Sequence, residues 1–358
     1  MKGKMKAMVF YEPENMKLEE IDIPEIGPDE VLVRVKACGI CGSDIAYYYG
    51  LSSLETETGK GPLVLGHEFS GEIVEIGEIP KSLGLFKEGD RVSVDPVQYC
   101  NACEICKKGY VNLCENKSVL GVSVDGAFAE YVKSKYTSIF KLPDNVTFEQ
   151  GAFTEPLADA MYAVQNLEVN LGDFCVVIGP GPIGLAEAQL IKSNGAGVVV
   201  VLGTRDYRLD IAKKNGADYV FNISDKNSKY YVEDITKKIS ELTDGKMADR
   251  VLVATGNPAV MDLPFEISGR RSIIVFFGLP GDKDVVKVPA LQTILWDKRI
   301  KFSWLAPLTW PRSLEAISKK LIDVDSLVTH KFKLEELITG IEKVKNREGN
   351  PLKAIVIP

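Results

Sequence analysis

Val176-Val-Ile-Gly179-Pro-Gly181-Pro-Ile-Gly184 is an apolar run that closes in G-x-G-x-x-G and leads into a helix-like segment, Leu185 to Lys192. Strand, glycine-rich turn and helix in that order are the pattern of a dinucleotide-binding βαβ unit. Gly179 permits the tight turn, Gly181 lets backbone approach a pyrophosphate, and Gly184 allows close helix packing. The helix N-terminus, with Pro182 and Ile183 in its first turn, favours an anion. A lone match would read as an ordinary strand-helix turn; its position in a βαβ pattern raises it above that.

Around this stretch the sequence alternates helix-length segments with continuous apolar runs, Gly197-Val-Val-Val-Val-Leu, Arg250-Val-Leu-Val-Ala and Ser272-Ile-Ile-Val-Phe-Phe-Gly. Apolar strands without in-out alternation, separated by helices, predict a doubly wound parallel sheet, here over 151–296. Residues 1–150 instead carry short runs between turn signals: Glu30-Val-Leu-Val-Arg-Val, Gly71-Glu-Ile-Val-Glu-Ile-Gly, Gly89-Asp-Arg-Val-Ser-Val and Gly126-Ala-Phe-Ala-Glu-Tyr-Val. That pattern is β-rich. After 297 the text is mixed again and ends in Ala354-Ile-Val-Ile, which reads as the chain returning to complete the first domain. The expected fold class is therefore α/β, a β-rich domain (1–150 and 297–358) interrupted by a doubly wound one.

The strand Val198 to Leu202 ends in Gly203-Thr204-Arg205 rather than in an acid. An NAD-binding unit ordinarily places Asp or Glu there to accept from the ribose hydroxyls. Gly203 leaves room, the Thr204 hydroxyl can donate, and Arg205 offers a planar charged donor suited to a 2′-phosphate. This favours NADP over NAD. Asp206, one residue on, keeps the NAD alternative open.

The chain has 358 residues, 45% apolar and 26% charged, a composition for about two soluble domains. Its net charge of −7 supplies no continuous basic face and argues against a nucleic-acid partner. No run approaches the roughly 20 apolar residues of a membrane-spanning helix, and no apolar signal core follows the basic start, so a cytoplasmic location is expected. Seven cysteines are an odd number, and four crowd into Cys100-x-x-Cys103-x-x-Cys106-x7-Cys114. This spacing suits metal rather than disulfides: short spacers set the sulfurs around one ion and a longer loop returns the fourth. Four protein ligands leave no open position, so that metal would be structural. A second, dispersed set is Cys41-Gly-Ser43-Asp44, Gly66-His67-Glu68 and Thr154-Glu155-Pro156. Cysteine, histidine and carboxylate suit a zinc with one open position, but spacing alone cannot bring them together.

The sequence resembles the zinc-containing medium-chain dehydrogenase/reductase family, particularly its sorbitol, threonine and archaeal glucose dehydrogenase branches. The resemblance runs over essentially the whole chain. It is carried by Cys-Gly-Ile-Cys-Gly-Ser-Asp at 38–44, Gly-His-Glu at 66–68, the four-cysteine lobe at about 95–116, Glu-Pro-Leu at 155–157, the glycine fingerprint and the ending Thr329-His-Lys-Phe. It implies a GroES-like catalytic domain interrupted by a Rossmann domain. It implies two zinc ions per chain, with Cys41, His67 and Glu155 as ligands of the catalytic one and Glu68 as a neighbouring carboxylate that can exchange onto the metal. Ser43 resembles the hydroxyl that begins proton removal. Thr255, Gly278 and Leu279 resemble residues along the nicotinamide channel, Cys38 matches a family cysteine that is not a ligand, and His330 matches a structural family position; Cys175, in a strand of the doubly wound domain, reads as a packing residue. The implied activity is oxidation of a secondary alcohol, polyol or sugar with NADP, in a homo-tetramer or homo-dimer.

Two features depart from the family. Many relatives carry a proton-relaying histidine a few residues after the ligand cysteine, where this chain has Ala46, and sorbitol-type enzymes place an arginine in the region of Trp304 to Trp310, where this chain has none. An NAD-dependent polyol or L-threonine dehydrogenase is the alternative within the family. Outside that class stand a zinc-free reductase, which would lack the ligands, and a non-catalytic zinc- and nucleotide-binding structural protein, which would carry damaged motifs.

Overall fold

The computed structural model describes residues 1–52 and 61–358. The chain divides into two compact units, one of residues 1–156, 310–319 and 324–358, the other of 157–309 and 320–323. The sequence pattern puts the boundaries at 150/151 and 296/297; the structure moves both later. The second shift has a physical cause. The strand Arg299–Phe302 belongs to the parallel sheet, where it pairs only with Ser268–Phe276 and is partly exposed, so it lacks the all-apolar signature of its neighbours.

Among the described residues the second unit contains a six-stranded parallel sheet. Its order is Tyr219–Asn222, Val198–Gly203, Phe174–Ile178, Ala248–Val253, Ser268–Phe276, Arg299–Phe302. In chain order that is 3-2-1-4-5-6, so the chain reverses direction across the sheet between Phe174–Ile178 and Ala248–Val253. Val199 to Gly203 and Val251 to Val253 are buried, as strands covered on both faces must be. The helix Pro182–Ser193 follows the glycine turn with Gly181 as N-cap and Pro182 in its first position, where the missing N–H costs nothing.

Among the described residues, the first unit is built on a seven-stranded sheet whose central member is Glu30–Gly39. That strand pairs antiparallel with Glu68–Ile76 and Tyr131–Lys135, and at its end with Lys353–Ile357. The last pairing is how the returning C-terminus completes the sheet. A three-stranded sheet of Asn15–Asp22, Lys4–Glu12 and Leu63–Val64 belongs to the same unit. Cys38 packs in its core and Cys175 is buried in the other unit. No described helix is long and apolar enough to cross a membrane.

The stem of the four-cysteine lobe is tied by a buried polar network. Asp95 Oδ1 accepts from the Val97 N–H at 2.9 Å, and the Gln98 amide donates to the Asp95 carbonyl and to Ser134 Oγ. Gln98 Oε1 in turn accepts from the Lys135 N–H at 2.8 Å. Burial pushes the Asp95 carboxyl up to about 7, against the pull of its single backbone donor. In the other unit, Glu187 is fully buried on the helix Pro182–Ser193 with neither oxygen hydrogen-bonded, and burial holds it well above the usual carboxylate range.

These two acids set a pH dependence of stability. Well below pH 4 each is neutral folded or unfolded and adds no pH dependence; as pH rises the unfolded chain ionises first, so stability falls. For Asp95 the loss accumulates up to its folded value of about 7 and stays constant above it. Asp95→Asn keeps an acceptor for Val97, and any packing penalty of the amide is independent of pH. Its melting temperature relative to wild type should therefore rise between about pH 4.5 and pH 8, and that of Glu187→Gln should rise likewise. Differences that do not change with pH would contradict the burial assignments.

Candidate metal centres and nucleotide site

In the four-cysteine lobe the chain turns tightly enough for backbone to serve the sulfurs. Cys100 Sγ accepts from the N–H groups of Ala102 and Cys103, Cys103 Sγ from that of Cys106, and Cys114 Sγ from that of Cys100, all at 3.3–3.4 Å. The Cys114 sulfur lies 3.5 Å from that of Cys100 and 4.0 Å from that of Cys103. A tetrahedron with metal–sulfur bonds of about 2.3 Å has edges of about 3.8 Å, so the spacing matches a zinc thiolate site. The two backbone donors bring the Cys100 thiol down to about 6. Burial and its thiol neighbours push Cys106 up to about 12, because successive thiolates repel. A dication removes that conflict, and the residues fit one.

The dispersed group is assembled by strand pairing. Cys41 lies two residues past the strand Glu30–Gly39, His67 immediately precedes the strand Glu68–Ile76 and Glu68 opens it, where Gly39 is registered opposite Glu68. One donor atom from each of Cys41, His67 and Glu68 falls within 4.8 Å of the others. His67 and Glu68 are buried. Glu155, expected as the third ligand, lies in the first turn of the helix Thr154–Leu167. Ser43 lies in the helix Gly42–Tyr48 that Cys41 caps.

Two residues without a role in the sequence pattern complete the surroundings. Asp44 is fully buried; its Oδ2 accepts from the Cys41 N–H at 2.8 Å and its Oδ1 faces His67 Nδ1 at 3.6 Å. Burial alone would discourage charge on the imidazole, but Asp44 and the Cys41 sulfur outweigh it and raise His67 well above its ordinary value. Negative groups that favour a proton on that ring also favour a cation beside it. An acid directing one ring nitrogen is the usual partner of a metal-binding histidine and leaves the other nitrogen for the ion. Lys353 is the second: both Glu68 oxygens lie 2.6 Å from its Nζ, and both residues are buried. Asp44 is visible in the Cys-Gly-Ser-Asp motif as part of a pattern. Lys353, in the final apolar strand, gives no signal.

In the other unit, the fingerprint turn sits at the carboxyl ends of the two central strands. Gly179 has a φ of +102°, and a Cβ there would meet the Thr255 side chain at 3.0 Å. Around Gly181 nothing would obstruct a Cβ within 4 Å, which leaves its backbone approachable. Thr255 is also beside Gly278, whose Cβ would fall 2.1 Å from the Thr255 carbonyl carbon, and Leu279 backbone closes on Gly256. The expected positions 179, 255, 278 and 279 thus share one end of the sheet.

At the end of the second strand the structure alters one argument. Gly203 is packed against Pro180, 2.6 Å from where its Cβ would be, so glycine is required by the turn itself and not only by the space a phosphate needs. Arg205, the N-cap of the helix Asp206–Lys214, has no ion-pair or side-chain hydrogen-bond partner among the described residues. Asp206 is occupied: Asn222 Nδ2 and the Ser228 hydroxyl both donate to its Oδ1, and these bonds hold the carboxyl below its usual range.

Comparison with known proteins agrees with both units. Residues 27–144 match the model of the alcohol dehydrogenase GroES-like domain, and 182–319 that of the zinc-binding dehydrogenase. Sorbitol dehydrogenase of Bacillus subtilis (strain 168) is 32% identical over 99% of this chain and 97% of its own. A zinc-binding dehydrogenase from Sinorhizobium meliloti 1021, solved with NADP bound, superposes with a TM-score of 0.91 at 28% identity, covering 99% of this chain and 100% of that one. An alcohol dehydrogenase from Escherichia coli CFT073, complexed with NADH, gives 0.88 at 29% identity over 99% of each chain. Motifs, folds and relatives agree, and the chain belongs to the zinc-containing medium-chain dehydrogenase family of alcohol and polyol dehydrogenases.

Proposed function

We propose that this dehydrogenase transfers a hydride between a secondary alcohol, polyol or sugar and NADP, with one zinc in the four-cysteine lobe and a second at Cys41 and His67. The observation that carries the reading is the meeting of one sulfur, one imidazole and one carboxylate within 4.8 Å at the ends of two paired strands. When bound, zinc polarises the substrate oxygen and the dinucleotide exchanges the hydride. The chain's own side chains do the rest. Asp44 accepts from the backbone of Cys41 and sets its other oxygen 3.6 Å from His67 Nδ1, placing a negative charge beside both donors. Ser43, two residues after Cys41, takes the proton from the substrate hydroxyl. Ala46 relays nothing, so the proton leaves by a route without a histidine at that position.

Glu155 is the third ligand the family implies, and Glu68, whose carboxylate lies within 4.8 Å of donor atoms of Cys41 and His67, is the neighbouring carboxylate that can exchange onto the metal. Arg205 receives the 2′-phosphate of NADP, Thr204 donates beside it, and Asp206 stays engaged with Asn222 and Ser228. The substrate is a small molecule, and a homo-oligomer in the cytoplasm fits the family.

Metal analysis of the purified chain should give about two zinc ions, with chelator-sensitive oxidation of secondary alcohols. One or none would overturn the reading. Arg205→Ala should raise KM for NADP by about tenfold or more, the loss of one charge-assisted contact, and leave KM for NAD nearly unchanged. Equal effects on both cofactors would contradict the NADP assignment.

A further inference from the structure

Glu68 stands among the candidate ligands, yet its carboxylate is spoken for. Both oxygens accept from Lys353 Nζ at 2.6 Å, and the same ammonium donates to the Ile40 carbonyl at 3.3 Å. Glu68 is 1% and Lys353 5% exposed, so neither charge is served by solvent. Three segments far apart in sequence meet here. Lys353 arrives on the C-terminal strand and Glu68 on Glu68–Ile76, and Gly39 lies between them, registered with Glu68 on one side and Ile355 on the other. A Cβ at Gly39 would fall 2.0 Å from Glu68 Oε2. The carboxylate therefore crosses directly over Gly39 to reach the ammonium.

A buried ion pair of this kind is a poor device for stability, because desolvation offsets most of the attraction. Its position explains it better. Lys353 is the counter-charge set against Glu68, beside the donor atoms of Cys41 and His67.

We infer that Lys353 is a positioning residue that restrains Glu68 from becoming a full ligand of the metal at Cys41 and His67. With the ammonium in place the carboxylate is divided between lysine and metal. Without it Glu68 closes onto the metal and takes the open coordination position that substrate needs. Gly39 supports the restraint by leaving room for the carboxylate on the lysine side. This inference rests on the zinc dehydrogenase reading.

The test compares wild type, Lys353→Met, Lys353→Arg, Gly39→Ala and the double variant Lys353→Met with Glu68→Gln. Two readouts are independent of turnover: zinc release to excess chromophoric chelator, and the visible spectrum of the cobalt(II)-substituted protein. Lys353→Met and Gly39→Ala should each slow release of the Cys41–His67 zinc by about tenfold or more, within the range over which groups adjoining ligands act. Their cobalt bands should weaken as coordination number rises. Lys353→Arg should behave as wild type, and the double variant, lacking the carboxylate, should release zinc no more slowly than wild type. If Lys353→Met does not fold, Gly39→Ala, with its added methyl, decides the matter by the same two readouts. Two zinc ions per wild-type chain with release unchanged or faster in Gly39→Ala and Lys353→Met would overturn the inference alone. A single zinc per wild-type chain would overturn the dehydrogenase reading and this inference with it.

Discussion

The register of the strand Glu30–Gly39 decides whether this chain has a metal centre at all. Its pairing with Glu68–Ile76 sets Gly39 opposite Glu68 and Cys38 opposite Phe69, and its pairing with Lys353–Ile357 sets Gly39 opposite Ile355. Cys41 emerges two residues past that crossing, beside His67 and Glu68. Because side chains alternate along a strand, a slip of one residue would turn the core set Val31, Val33, Val35 and Ala37 outward. Register is therefore fixed by the hydrophobic core, and the donors inherit their positions from it. The metal group is assembled by apolar packing that involves none of its own chemistry.

That origin explains the electrostatic character of the site. Asp44, His67, Glu68 and Lys353 are all buried, so each charge must find its partner inside the protein. Asp44 is committed to Cys41 and His67, and Glu68 to Lys353. Committed partners lock rotamers, and locked rotamers are what a metal of defined geometry requires. The four-cysteine lobe works differently. Its four thiols come from one short stretch, oriented by backbone N–H groups, and a stem at Asp95 and Gln98 ties it to the strand Tyr131–Lys135.

The same contrast governs what is legible in the sequence. The glycine fingerprint and the four cysteines are contiguous, and their chemistry can be read because local chain geometry alone brings the groups together. Cys41 and His67 lie apart in sequence, with the helix Gly42–Tyr48 and the strand Leu63–Val64 between them, so residue types suggest a ligand set but only family resemblance pairs them. Glu155 enters on the same resemblance. Lys353 is hidden because one lysine ahead of Ala354-Ile-Val-Ile looks like the solvated end of a strand; only tertiary pairing buries it. The edge strand Arg299–Phe302 escapes for the converse reason. Its half-exposed, charged sequence does not resemble the apolar strands it joins, and the pattern change that marks the domain boundary falls before it. Gly203 reads as making space for a ligand, whereas its packing on Pro180 already demands a glycine.

What most directly tests the account is the location of metal in crystals of the protein, by anomalous diffraction on either side of the zinc absorption edge. The account predicts two zinc peaks per chain, one equidistant from the sulfurs of Cys100, Cys103, Cys106 and Cys114, the other within about 2.3 Å of Cys41 Sγ and about 2.1 Å of a His67 ring nitrogen. A single peak in the cysteine lobe, with none between Cys41 and His67, would contradict it.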